Sequence, residues 1–138
     1  MSVSGYSGTP LGKKLGIKEG FCISFINVPE NYFELIGSLP EKLIVAGNSK
    51  IRKDLIHYFS KDIEQVKLNF PRLKRQLKSN GMIWISWPKK NKSYTYNISE
   101  DAIRSIGIIN GLVDIKVCAI DDTWSALKFV IPIKDRTK

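Results

Sequence analysis

Hydrophobic residues fall into short blocks of two kinds along this chain, and their alternation is the first sign of its architecture. Phe21-Cys22-Ile23-Ser24-Phe25-Ile26 is a compact apolar run, long enough for a strand and too short for a buried helix. Lys42–Ala46 and Asp54–Phe59 read the same way, and Met82-Ile83-Trp84-Ile85-Ser86-Trp87 gives a fourth strand, stopped by Pro88. Helical signals lie between them. Asn27-Val28-Pro29-Glu30 breaks the first run, and Pro29 suits the first position of a helix, where its missing N–H would be unpaired anyway. Glu30 and Glu34 favour the positive end of that helix, which runs to about Ile36 before Gly37 and Pro40.

After the third strand, Ile63, Val66, Phe70, Leu73 and Leu77 recur at spacings of three and four, which is one helical face. Ser60 caps this helix, Asp62 and Glu64 occupy its first turn, and Asn80-Gly81 ends it. Pro71 predicts a kink or a break near Asn69. A polar loop from Lys89 to Asn97 leads to a helix capped by Ser99, with Glu100 and Asp101 in its first turn. The last third alternates instead. Val113, Ile115, Val117 and Ala119 share one face of a fifth strand, and Leu127, Phe129, Ile131 and Ile133 share one face of a sixth, with a hairpin loop at Ile120–Trp124.

The order β-α-β-β-α-β-α-β-β predicts an α/β fold: a three-layer, Rossmann-like, mostly parallel six-stranded sheet ending in an antiparallel hairpin. The first and fourth strands are apolar throughout, as strands covered on both faces are. Residues 1–20, rich in Gly, Ser, Thr and Pro, read as an N-terminal arm with a short helical turn at Pro10–Leu15, and residues 21–138 as a single domain.

Composition changes this picture in two places. No run approaches the ~18 apolar residues of a membrane span, and Met1–Gly8 lacks the basic start and apolar middle of a secretory signal, so a cytoplasmic setting is expected. Cys22 and Cys118 sit in apolar runs and the chain has one histidine, which together form no recognisable disulfide framework or metal site. Charge is the outlier: the net +9 is concentrated in residues 61–92, which hold nine basic and two acidic groups. A basic helix face built from Lys67, Arg72, Lys74, Arg75 and Lys78 could follow phosphates, although no aromatic residues interleave with it.

The layout is similar to a shortened version of the fold used by methyltransferases that consume S-adenosylmethionine (SAM). Leu77-Lys78-Ser79-Asn80-Gly81-Met82-Ile83-Trp84-Ile85-Ser86 resembles the turn from helix to fourth strand in that fold, and the closing hairpin resembles its last antiparallel strand. That resemblance implies the strand order 2-1-3-4-6-5. A second likeness covers nearly the whole chain. Tyr6-Ser7-Gly8-Thr9-Pro10-Leu11, Lys13-Lys14-Leu15-Gly16-Ile17-Lys18, Trp87-Pro88-Lys89-Lys90, Gly111-Leu112-Val113-Asp114 and Thr123-Trp124-Ser125 resemble a bacterial family catalogued as a domain of unknown function. It implies a bacterial source and brings no activity.

The residues themselves argue against a nucleotide-type cofactor. Close backbone approach after the first strand needs a glycine-rich turn, and Phe25–Glu30 contains no glycine. Leu43–Asn48 lacks the acid that would hold a ribose at the end of the second strand. No cofactor is therefore expected, and neither SAM nor NAD should bind. His57, mid-strand in Leu55–Phe59, reads as structural.

Geometry supplies the positive argument. Ligands of open α/β sheets gather at the carboxyl ends of parallel strands. Those ends here carry Asn27, Ser60 and Trp87-Pro88-Lys89-Lys90, and a parallel fifth strand would bring Asp121, Asp122, Thr123 and Trp124 to the same rim. Each part also has a plain structural role open to it, with Trp87 and Trp124 closing the sheet and Asp121 and Asp122 forming the turn. The leading expectation is a non-catalytic domain binding a small anionic or planar ligand, or a partner, through Asn27, Ser60, Trp87, Lys89, Lys90, Asp121, Asp122 and Trp124. The alternative is an enzyme at the same edge, with Asp121 or Asp122 as base and Lys89 holding an anion. Weak nucleic-acid binding through the helix at 61–78 is the third.

Overall fold

The structure is a computed structural model that describes residues 10–47, 50–90 and 96–136. The elements follow in the order α1 (Leu11–Leu15), β1 (Cys22–Ile26), α2 (Tyr32–Ile36), β2 (Ile44–Val45), β3 (Lys53–Phe59), α3 (Ile63–Arg75), β4 (Leu77–Pro88), α4 (Glu100–Ile109), β5 (Val113–Ala119) and β6 (Trp124–Val130). They form one six-stranded sheet of order β2-β1-β3-β4-β6-β5, in which β2, β1, β3 and β4 are mutually parallel and β6 is antiparallel to both its neighbours. Running opposite to β6, β5 therefore points the same way as β4. The expected α/β architecture and strand order are both observed.

Two apolar layers hold the sheet. On one face α1 and α2 pack Leu15, Tyr32 and Ile36 against Ile23, Leu55, Phe59 and Trp84. On the other, α3 and α4 pack Val66, Phe70, Ile103 and Ile106 against Ile56, Ile83, Ile85 and Phe129. Alternation along each strand assigns odd and even positions to opposite layers, which is why β1, β3 and β4 are apolar almost throughout. Gly107 lets α4 sit close to β6, since a Cβ there would overlap the Phe129 ring. Leu11, Leu15 and Ile17 are buried, and the Trp84 indole N–H donates to the Leu15 carbonyl at 2.9 Å, so this part of the N-terminal stretch is core. Residues 1–9, with Tyr6-Ser7-Gly8-Thr9, lie outside the described residues.

Several local expectations are corrected. The third helix stops at Arg75, with Gln76 as its C-cap, and continues through Pro71 without a break. Leu77, read as the last residue of its apolar face, instead opens β4 opposite Lys53, because the backbone N–H of Lys53 takes the Gln76 carbonyl at 2.8 Å. Asp62, not Ser60, is the N-cap of α3. The second helix begins at Tyr32, with Pro29 and Glu30 forming a turn before it. β2 is two exposed residues rather than five. β6 ends at Val130, and Ile133 is exposed. No helix among the described residues is long and apolar enough to cross a membrane.

Candidate functional site

The carboxyl ends of β1, β3, β4 and β5 share one edge of the sheet. The chain leaves β1 for β2 on one side and later enters β3 on the other, so the crossovers diverge between β1 and β3. That divergence opens a crevice where open α/β sheets bind ligands. A cleft of about 430 Å³ lies there, lined by Asn27 and Pro29 after β1, by Tyr58 to Asp62 at the end of β3, and by Gln65 and Asn69 of α3, with Trp124 as a wall.

Its parts are built locally. Asn27 has φ +58°, a left-handed conformation that asparagine tolerates better than other non-glycine residues, and its amide reaches the Phe59 carbonyl at 3.4 Å. The Ser60 hydroxyl accepts from the Asp62 backbone N–H at 3.1 Å, which turns the chain into α3. Asp62 Oδ1 accepts from the Glu64 N–H and from the Asn97 amide, each at 3.0 Å, while Asn97 Oδ1 accepts from the Ile63 N–H at 3.1 Å. Two of the N–H groups that a helix start leaves unpaired are thus satisfied. Asp62 Oδ2 has no partner among the described residues. Tyr58 forms the floor, its hydroxyl taking a bond from the Asn69 amide at 3.1 Å. Lys61 stands exposed at the mouth.

Beneath the Trp124 wall is a buried polar chain. The Tyr32 hydroxyl meets His57 Nδ1 at 2.8 Å, and His57 Nε2 meets the Ser86 hydroxyl at 2.6 Å. His57 stacks on Phe59, whose ring carries Trp124 edge-on at 4.9 Å. Burial pushes the His57 pKa down to about 3 and the Tyr32 phenol up, so both are neutral at pH 7. A neutral imidazole offers one donor and one acceptor, and both are used.

The rim read from sequence divides. Asn27, Ser60 and Trp124 line the cleft just described. Trp87, Lys89 and Lys90 line a second depression of about 510 Å³, together with Ser99, Glu100 and Asp101. Asp121 and Asp122 line neither. The tryptophan–lysine tip and the acidic hairpin do meet: Pro88 pairs with Trp124, the Lys89 N–H donates to the Thr123 carbonyl at 2.8 Å, and its ammonium donates to the Asp121 carbonyl at 2.9 Å. Asp121 Oδ1 accepts from the N–H groups of Thr123 at 2.9 Å and Trp124 at 2.8 Å, which shapes the hairpin turn. In the second depression, Arg104 holds Glu100 Oε2, Asp101 Oδ1 and, from β5, Asp114 Oδ2. That guanidinium keeps the Asp114 carboxyl below its usual range. The basic stripe expected on α3 is broken as well. Lys78 lies on β4 and pairs with Asp54 at 3.2 Å, Lys67 pairs with Glu64, and Lys74 donates to the Asn110 carbonyl at 2.6 Å.

Sequence reasoning missed Tyr58, Lys61, Asp62, Gln65 and Asn69. A signal existed, because Asp62, Gln65 and Asn69 recur at three and four beside the apolar face of α3, pointing a polar stripe at the sheet edge.

No protein-family model and no curated protein matches the sequence. Solved structures do match. A SAM-dependent methyltransferase from Aquifex aeolicus superposes with a TM-score of 0.63 at 13% identity, over 86% of this chain and 87% of that one. The chain has the methyltransferase fold. A putative methyltransferase from Thermoplasma acidophilum matches with a TM-score of 0.57 at 9% identity, over 84% of this chain and 70% of that chain. The magnesium protoporphyrin IX methyltransferase of Synechocystis PCC 6803, solved with bound SAH, gives 0.55 at 10% identity over 88% and 78%. These neighbours are methyltransferases, which overturns the leading expectation of a non-catalytic binding domain.

The residues present were tested against SAM. The left-handed Asn27 answers the objection that no glycine follows β1, since it makes the same turn. Its side chain, however, spans the crevice to Phe59, and Pro29 offers no N–H. Beyond β2 the described residues are Ala46 and Gly47, neither of them acidic. The described residues do not fit the anchoring of SAM.

Proposed function

We propose that this chain is an enzyme whose reaction site is the cleft between the ends of β1 and β3, acting on a small polar ligand with a carboxylate–lysine pair. That pair is Asp62 and Lys61 on the β3–α3 turn, in place of Asp121 and Lys89. One observation carries the reading. At the crevice where the crossovers diverge, Asp62 lines the cleft with Oδ2 unpartnered among the described residues, beside the exposed Lys61 ammonium and the amides of Asn27 and Gln65. Lys61 would hold an anionic group of the ligand, Asp62 Oδ2 would accept its hydrogen bond or proton, and Gln65 would orient it. The methyltransferase neighbours support catalysis in this fold, while the anchors argue against SAM as the co-substrate. The likeness of the Tyr6–Leu11 and Trp87–Lys90 segments to a bacterial family of unknown function would make the source bacterial, a cytoplasmic setting is the one proposed for it, and neither adds chemistry to the reading.

The test uses variants that leave the fold intact. Asp62→Asn retains an N-cap residue and removes the charge, and Lys61→Ala removes an exposed cation. SAM, SAH, NAD and a panel of small carboxylic and phosphorylated acids are titrated while amide NMR signals of the cleft are followed. The expected result is saturable shifts at Asn27, Ser60 and Asn69 with one or more acids, abolished by both variants, and none with SAM or SAH. Micromolar SAH binding would replace this reading with methyl transfer, and silence of the cleft toward every probe would end it.

A further inference from the structure

The open half of the α1/α2 face carries a charge arrangement that the cleft does not use. In the β5–β6 ladder Lys116 lies directly opposite Lys128. Directly opposed like charges on a sheet destabilise it. Lys128 stands over the Trp84 ring, its ammonium 5.8 Å from the centroid, which fixes it upright on the sheet. Its partial burial and the charges of Lys116 and Lys18 push its ammonium below the usual value, so Lys18, in the turn after α1, belongs to the same cluster. Lys14 of α1 and Lys116 likewise act on Cys118, next along β5. Among the described residues, Lys18, Lys116 and Lys128 have no carboxylate partner. The two depressions described above do not include them.

We propose that Lys18, Lys116 and Lys128 form a docking surface for the phosphodiester backbone of a single-stranded nucleic acid. The occupant follows from shape and charge together. An enclosed small anion needs a pocket, whereas an open face with several neighbouring point charges rewards a chain of anions that neutralises several at once. Phosphate neutralisation by lysine releases condensed counterions, which gives such a surface affinity without enclosure. A net charge of +9 adds long-range attraction. The uncompensated Lys116–Lys128 pair is then a stability sacrificed for binding. This surface lies on β5 and β6, away from α3, the helix whose charge density first suggested nucleic acid.

The experiment is fluorescence anisotropy with a labelled oligothymidylate of roughly 12 nucleotides, in the range of single-strand site sizes, at several salt concentrations. With three lysines engaged, log K should fall against log salt with a slope of about −2. Lys116→Glu should weaken binding about tenfold or more and flatten that slope, while its melting temperature stays level or rises because it now pairs with Lys128. Arg75→Glu, on α3, should change binding less than about twofold. Lys128→Gln provides a second, charge-removing variant. Equal losses in Arg75→Glu and Lys116→Glu, polyglutamate binding as tightly as the oligonucleotide, or no binding at low salt would each overturn the proposal. None of these outcomes depends on the Lys61–Asp62 site.

Discussion

Two stretches of the same sheet edge, the β1/β3 end and the β4/β5/β6 end, look alike in sequence and behave differently in three dimensions. Each offers a lysine, a carboxylate and polar neighbours, and Trp124 stands between them, a wall of the first cleft that pairs with Pro88 of the second end. At the β4/β5/β6 end the chemistry is spent. Lys89 donates to the Asp121 carbonyl, Asp121 accepts twice from its own turn, and Arg104 takes up Glu100, Asp101 and Asp114. At the β1/β3 end the cation is not: Lys61 is exposed at the mouth, and Asp62, which like Asp121 accepts twice through Oδ1, lines a cleft that Asp121 does not reach. Closeness in space therefore does not make a site. What distinguishes one is a cleft lined by the carboxylate together with a cation that the fold has not already taken up.

The largest effect should come from removing the wall itself. Trp124 is 9% exposed and packs edge-on against Phe59. Trp124→Ala should cost about 3–5 kcal/mol in urea unfolding, the usual range for emptying a buried aromatic site. A loss below about 1 kcal/mol would show that the wall is not part of the core, and the two stretches would no longer be separable.

Acid should act next, through the buried Tyr32–His57–Ser86 chain beneath the Trp124 wall. The folded His57 pKa is about 3, below the ordinary 6.5 of the unfolded chain. Between those values the unfolded state binds a proton that the folded state refuses, so stability is full above pH 6.5 and falls as pH drops. The slope is about 1.4 kcal/mol per pH unit. Measured from about pH 6.5 to 4.5, before Asp114 with its lowered pKa titrates appreciably, the loss should be roughly 2.3 kcal/mol. A flat profile over that window would mean that His57 is protonated in the fold and that the Tyr32–His57–Ser86 chain is wired otherwise.

Asp121→Ala follows, and it distinguishes the two ends directly. Losing an acceptor for two turn N–H groups should destabilise by about 1–2 kcal/mol, as loss of a helix cap does. It should leave ligand shifts at Asn27 and Asn69 in place. If instead it left stability untouched and abolished ligand binding, the hairpin would be the site and the β1/β3 cleft the bystander.

Much of the fold was legible because burial on both faces of β1, β3 and β4 demands apolar runs, and the half-open hairpin demands alternation. The errors fall where local signals compete. Leu77 fits the helical repeat of Ile63, Val66, Phe70 and Leu73, yet a backbone pairing with Lys53 claims it for β4. Ser60 and Asp62 are both good caps, and which of them acts depends on where the last ladder bond of β3, from the Ser60 N–H to the Ser86 carbonyl, lets go. The site was harder still. That the rim residues would converge followed from strand direction alone. That Asp62 would line the cleft while Asp121 would not, and that Lys89 would be held by the Asp121 carbonyl, depends on individual contacts, and no periodicity encodes those. The left-handed Asn27 was legible only as a missing glycine.

The smallest effect on stability decides the most. Lys61 is exposed at the mouth of the cleft, so Lys61→Ala should change unfolding free energy by no more than about 0.5 kcal/mol. Lys89→Ala should shift stability more, because the Lys89 ammonium secures the Asp121 carbonyl at 2.9 Å. Ligand binding should show the reverse order, lost in Lys61→Ala and retained in Lys89→Ala, by the same NMR titration. Such a crossed pattern separates a cation held by the fold from one left for a ligand. Parallel losses of stability and binding in both variants would erase the distinction between the two ends of the edge, since each lysine would then be serving the fold first.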